Sequence, residues 1–162
     1  MNDYSPLKPY LFQSGKRAGE SLEVLIFKDY SFLRWLHREI LKETPVKKNN
    51  LQLHLEWLLE RGEEVKTNLL CPICGQNKVE FFYIRRSDGD ISLGTSYTSC
   101  NQCIDEAEAM GLNIIPERYP LKFSSLSHFR RGERKMVSKL FQQVFLPPGR
   151  LTKERAFKLF IG

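Results

Sequence analysis

Apolar runs in this 162-residue chain, such as Leu69-Leu70 before the first cysteine, fall far short of the roughly 20 residues that cross a bilayer. A membrane-spanning helix is therefore excluded. The opening residues, Met1-Asn2-Asp3-Tyr4-Ser5-Pro6, lack a basic region followed by an apolar one, so a secretory leader is not expected and the cytoplasm is the expected compartment. No glycine-rich dinucleotide fingerprint appears, and Ser, His and Asp occur without a nucleophile elbow. A phosphate-binding loop needs Gly-Lys-Ser/Thr after its second glycine, whereas here the order is Gly19-Glu20-Ser21. No His-x-Glu precedes the cysteines, which removes the zinc deaminase signature. With no catalytic constellation in view, the chain is not expected to be an enzyme.

What is present suffices for a core. The chain is 41% hydrophobic and 27% charged, with eleven Phe, six Tyr and two Trp, which rules out wholesale disorder. It is too short for a catalytic domain plus a separate cofactor domain. The net charge of +6 is unevenly spread. Residues 1–70 hold eleven basic and ten acidic side chains, residues 71–116 three and six, and residues 117–162 eleven and three. The excess positive charge thus sits in the last third, where a polyanion would be drawn.

All four cysteines fall in two pairs, Cys71-Pro72-Ile73-Cys74 and Cys100-Asn101-Gln102-Cys103, with 25 residues between the pairs. Two-residue spacing lets both thiolates of a pair reach one ion at about 2.3 Å. Gly75 supplies the positive φ with which such a knuckle turns back. Redox CxxC motifs or two disulfides are the alternatives; each explains one pair, but neither explains two complementary pairs with no spare thiol. The pattern predicts one Zn²⁺ held by Cys71, Cys74, Cys100 and Cys103. Because four thiolates fill a tetrahedral shell and leave no open position, the role expected is structural.

Between the pairs, Val79-Glu80-Phe81-Phe82-Tyr83-Ile84 reads as a strand ending at Arg85-Arg86-Ser87-Asp88-Gly89-Asp90, where Asp-Gly signals a turn, and 91–98 returns as the second strand of a hairpin. After Cys103, Ile104 to Met110 reads as a helix with acids in its first turn and Gly111 at its end. Knuckle, hairpin and helix over residues 71–111 resemble a treble-clef or zinc-ribbon module, a resemblance that implies a fold more than a task.

Upstream, Gly15 and Gly19 flank a tight turn pairing short strands. Asp29 or Ser31 is placed to cap a helix whose Phe32, Leu33, Leu36, Ile40 and Leu41 recur at helical spacing, with Trp35 beside them. A second helix is predicted from Asn50, carrying Leu51, Leu55, Leu58 and Leu59, with Gly62 near its end. Phe12, Gly15, Lys16, Gly19, Ser21, Leu22, Tyr30, Leu33, Trp35 and Leu36 together follow a Phe-x-x-Gly-Lys-x-x-Gly step and a Tyr-x-x-Leu-x-Trp-Leu helix. Over residues 10–60 this resembles the small C-terminal module of exodeoxyribonuclease X-like proteins, an appendage of nucleases and other DNA-processing proteins. The resemblance implies an association with nucleic acid, DNA ahead of RNA, and no activity, since the exonuclease's catalytic domain has no room here. Phe12, Leu22, Leu33, Trp35 and Leu36 are expected to form this module's core.

Pro116 and Pro120 mark 112–120 as a linker or a lone strand. Met136, Val137, Leu140, Phe141, Val144 and Phe145 predict a helix stopped by Pro147-Pro148-Gly149, and Thr152 is placed to cap a last helix bearing Phe157, Leu159 and Phe160. Arg130, Arg131, Arg134, Lys135 and Lys139 lie on or just before the first of these helices and suit phosphate contacts, as do Arg85 and Arg86 at the hairpin tip; a solvated charged face explains them equally. His37, His54 and His128 have no ligand-spaced partners and read as surface or helix-packing residues, and Glu63, Glu64, Glu106 and Glu108 as helix surface.

The expectation is a mainly helical α+β protein in three parts, an α+β module at 1–66, a zinc module at 67–115 and a basic helical segment at 116–162. Its expected work is binding nucleic acid as a non-catalytic accessory. The alternative is an adaptor subunit of a larger nucleoprotein complex, in which zinc shapes a protein-binding surface.

Overall fold

The computed structural model describes residues 4–43, 48–87, 90–92, 98–109 and 117–162. It is a mainly helical α+β chain whose residues group into two compact units, one made of Met1–Val65, Lys122–Ser127 and Pro148–Gly162, the other of Lys66–Leu121 and His128–Pro147. The carboxyl-terminal third, read from sequence as one segment, contributes to both.

The first unit begins with a turn. The backbone of Phe12 pairs with Glu20 and Gly19, Leu11 bridges Ser21, and Gly15 and Gly19 both hold φ of +81°, the left-handed conformation such corners require. Helix α1, Leu22–Lys28, follows at once. Ser21 caps it by accepting from the Val24 N–H at 3.2 Å. Asp29 ends α1 and caps α2, Tyr30–Lys42, accepting from the Phe32 N–H. Helix α3, Asn50–Glu64, is capped by Asn49. A short 3-10 turn at Phe123–His128 and helix α6, Lys153–Ile161, capped by Thr152, complete the unit's helical content. Glu63 is not idle helix surface, because its carboxylate accepts from both the backbone N–H and the hydroxyl of Ser124, at 2.9 and 2.7 Å.

The core of this unit includes Leu22, Leu25, Ile26, Phe27, Tyr30, Leu33, Leu55, Trp57, Leu58, Phe123, Phe157 and Phe160. Phe27 and Phe123 meet edge to face with ring centroids 5.0 Å apart. Each fully buried side chain of this size contributes about 1.5–3 kcal/mol. Three members expected from sequence are placed otherwise, Leu36 among them at half-burial. Phe12 is half-buried, and Trp35 is 48% exposed because its position on α2 is turned away from the Tyr30–Leu33 line that meets the core. Burial falls instead on α1, whose near-continuous apolar run gave no helical period to read.

The second unit holds strand β1, Phe81–Ser87, which pairs antiparallel with β2, Asp90–Ser92, with β3, Thr98–Ser99, and with β4, Glu117–Pro120. The hairpin register sets Arg85 opposite Ser92 and Arg86 opposite Ile91, so the strand runs through both arginines. The Asp88-Gly89 turn, Met110, Gly111 and Pro116 lie outside the described residues. Residues 117–120, expected as linker or lone strand, pair with β1 over four positions, from Phe81 opposite Pro120 to Ile84 opposite Glu117. Helix α4, Ile104–Ala109, follows the second cysteine pair. Helix α5, Arg131–Phe145, buries Val137, Leu140, Phe141, Val144 and Phe145, and Phe141 meets Phe82 of β1 edge to face at 5.5 Å. The Thr67 hydroxyl donates to the Val144 carbonyl, tying the segment before the cysteines to the end of α5.

Candidate metal centre

The two cysteine pairs come together at one point. Their sulfurs all lie within 4.8 Å of one another, and Cys71, Cys100 and Cys103 are buried. Four sulfurs about 2.3 Å from a central ion form a tetrahedron with edges near 3.8 Å. The Cys74 Sγ to Cys100 Sγ distance is 3.9 Å, which fits that edge and is nearly twice a disulfide bond. All four cysteines are unbridged, so the donor set is of the right kind and the right spacing for a single metal ion.

The backbone prepares the site. In the first knuckle the Gly75 N–H donates to the Cys71 carbonyl at 2.8 Å, and Gly75 takes the left-handed φ of +65° that reverses the chain. The Cys71 N–H donates to the Asn77 carbonyl at 2.7 Å, closing the loop from the far side. In the second knuckle Cys100 precedes a 3-10 turn at Asn101–Cys103. Asn77 ties the two knuckles together, donating from its amide to Gln102 Oε1 at 2.9 Å, and Glu80 Oε2 accepts from the Asn101 N–H at 2.9 Å. These outer contacts orient the ligands in the manner expected around a bound ion.

Cys71, Cys74 and Cys103 do not ionise alike. The N–H groups of Asn77 and Gln76 pull Cys74 down to about 6. Burial raises Cys71, but the N–H groups of Cys74, Cys100 and Ile73 bring it below its ordinary value. Burial and the neighbouring sulfurs push Cys103 up to about 12. Backbone N–H groups thus favour the thiolate at Cys71 and Cys74, whereas burial opposes it at Cys103.

The basic residues are placed unevenly. Arg131, Lys135 and Lys139 stand four residues apart on α5, all exposed and none in an ion pair among the described residues, and Arg130 is exposed just before the helix. Arg134 is half-buried, its Nε donating to the Phe129 carbonyl at 2.8 Å. Arg85 and Arg86 have a described backbone in β1, but their side chains lie outside the described residues.

One polar cluster left no trace in the sequence pattern. His54 and Glu23, 2% and 0% exposed, meet at 2.5 Å through Nε2 and Oε1, and the Tyr4 hydroxyl lies 3.3 Å from the other imidazole nitrogen. Tyr10 donates its N–H to the same Glu23 oxygen, while Glu23 Oε2 has no partner among the described residues. Burial and the Glu23 charge hold the Tyr4 phenol above its ordinary value. His54 and Glu23 are 31 positions apart, so no local spacing reveals the pair.

Among the described residues no helix is long and apolar enough to cross a membrane. No protein-family model matches the chain, and neither does any curated protein or solved structure.

Proposed function

We propose that this protein binds nucleic acid, DNA ahead of RNA, as a non-catalytic accessory, and that its four cysteines hold one structural Zn²⁺ within the unit that presents α5. Zinc is the fitting ion because four thiolates at tetrahedral spacing suit a soft, geometrically undemanding cation. With all four positions taken by protein sulfur, the ion organises the fold and leaves no place for substrate.

The observation that carries the reading is the row Arg131, Lys135 and Lys139 with Arg130 at its head. Helix stability does not call for these cations. The helix dipole is positive at the N-terminus, where Arg130 and Arg131 stand, and a cation there is opposed by about 0.3–1 kcal/mol. The only acid in the first turn of α5 is Glu133, which accepts from the Arg130 N–H at 2.8 Å. An approaching phosphate would meet unpaired cations and a favourable dipole together.

A salt titration of duplex binding tests this, comparing wild type with a variant carrying Ala at 130, 131, 135 and 139 and retaining Arg134 for its structural bond. Each lost phosphate contact should flatten the slope of log affinity against log salt by about one unit, roughly equally across sequences. Identical weak affinity and slope in the two proteins would remove direct nucleic-acid binding and leave the adaptor alternative.

A further inference from the structure

Of the two tryptophans, Trp57 is 7% exposed in the core of its unit, whereas Trp35 is 48% exposed. Trp35 stands on the solvent side of α2 among polar residues. One turn before it on that side is Ser31; after it come Arg38 and Lys42, and Arg34 is adjacent. The ring is not loose. Phe32 packs against it with centroids 5.8 Å apart and planes 31° from parallel. The Arg17 guanidinium lies 4.6 Å from the centre of the Phe32 ring and is itself fixed by Glu20 and Asp29. Phe12 supports Phe32 at 6.1 Å. The result is a buttressed ladder of guanidinium, phenyl and indole whose last rung is open to solvent.

The charge around the open rung is mainly positive. Arg34 and Arg38 are exposed and in no ion pair among the described residues, and Lys16 is exposed in the turn beside Arg17. Of the acids on that side, Glu39 is paired with Lys42 at 2.7 Å and Glu43 stands at the far end of the helix. An indole held half-open by π contacts and flanked by free guanidinium groups lacks a reason in core packing. It matches what an unpaired nucleobase requires, a flat face to stack on and cations for the phosphates to either side.

We infer that Trp35, carried on Phe32 and flanked by Arg34 and Arg38, is a stacking site for an unpaired base of single-stranded nucleic acid. The inference deepens the nucleic-acid reading and rests on it, but it assigns a different element and a different form of the ligand from the cationic row of α5. Stacking is indifferent to base identity because every base has a π face, so the site would read strandedness and not sequence.

The test uses full-length, metal-loaded protein and three probes, an oligothymidylate of about 12 nucleotides, an oligouridylate of the same length and a duplex of matching length. Trp35→Ala should weaken oligothymidylate binding by about 5- to 150-fold, the range for loss of one stacked base, and leave duplex affinity unchanged. Trp35→Phe, which keeps a π face, should recover much of the loss. Oligothymidylate should quench wild-type tryptophan emission but leave Trp35→Ala, where only buried Trp57 emits, unquenched. The oligouridylate arm shows whether RNA is accepted on the same ring. Unchanged oligothymidylate binding by Trp35→Ala would overturn the inference, as would self-association of the wild type that Trp35→Ala abolishes, since the ring would then cover a second copy. Loss of duplex binding in the α5 variant alongside an inert Trp35→Ala would retire the stacking site and leave α5 standing. Failure of wild type to bind any of the probes would retire both.

Discussion

The apolar core around α1 and the cysteine cluster of the second unit are held by different chemistry. Around α1 the buried set is Leu22, Leu25, Ile26 and Phe27, joined by Leu33, Leu55, Leu58, Phe123 and Phe160, a core built by removing apolar surface from water. Around the cysteines the buried cluster is Cys71, Cys100 and Cys103, with Cys74 and Ile73 packed against it among the described residues. A cluster so poor in carbon cannot be held by burial, and its thiols repel each other's ionisation. Hydrophobic cores are non-directional and tolerate small shifts; a thiolate cage works at one ion and one geometry. Each region should therefore fail under a stress to which the other is indifferent.

Metal removal is the sharpest separation. Apparent binding energies for structural zinc sites are about 10–16 kcal/mol, more than a small module's own stability, so chelation should unfold the segment around 71–103. Both tryptophans lie in the other unit, so their emission should persist while hydrogen exchange across 71–103 rises. One equivalent of zinc by elemental analysis is expected, and a Cys→Ser variant at all four positions that keeps slow exchange there would contradict the comparison. The sign with pH follows from the thiols. Cys74, lowered to about 6, binds as thiolate, so its contribution is complete above the ordinary thiol range and is lost as pH falls through about 6. Cys103, pushed up to about 12, must lose its proton to solvent when a metal binds. Metal affinity should fall with falling pH, and calorimetry in buffers of different ionisation heat should show protons released on binding.

A smaller effect distinguishes the apolar unit from within. Glu23 and His54 are a buried ionisable pair inside a hydrophobic core, and removing one partner leaves the other uncompensated. His54→Ala should cost about 3–5 kcal/mol in urea denaturation, while chelator sensitivity of the cysteine site stays as in wild type. A cost under about 1 kcal/mol would mean that Glu23 is satisfied without the imidazole.

The smallest contrast is between the tryptophans. Trp57→Ala should destabilise by about 3–5 kcal/mol, and half-exposed Trp35→Ala by much less, under about 1 kcal/mol, when thermal or urea unfolding is followed by circular dichroism. Equal costs would place Trp35 in the core and remove its availability to a ligand.

Much of this was legible in order along the chain. The CxxC pairs marked the metal centre because ligand spacing within a knuckle is local. Asp29, Asn50 and Thr152 marked helix starts within a residue because capping is a bond from a side chain to an N–H two or three positions on. Helix α1 escaped because Leu22, Val24, Leu25, Ile26 and Phe27 form a run with no empty face, and such a run carries no period. The pairing of 117–120 with β1 escaped because Pro120 reads as a break, although it closes the β4 register opposite Phe81. Trp35 was read into the core because it adjoins the Leu33 and Leu36 stripe, and a stripe's width is not fixed by the sequence that draws it.

The sequence by itself determined which atoms could hold a metal, where most helices begin and where positive charge concentrates, because ligand spacing, capping and net charge are properties of neighbours in the chain. Only the tertiary structure decided which pairs of distant groups meet. It brought the two knuckles into one four-sulfur cluster, buried His54 against Glu23 and turned Trp35 to solvent while Trp57 was enclosed. It also exposed Arg131, Lys135 and Lys139 in one row while turning Arg134 back to the Phe129 carbonyl. Those outcomes depend on which faces pack together, and packing minimises exposed apolar area over the whole chain and not over any window of it.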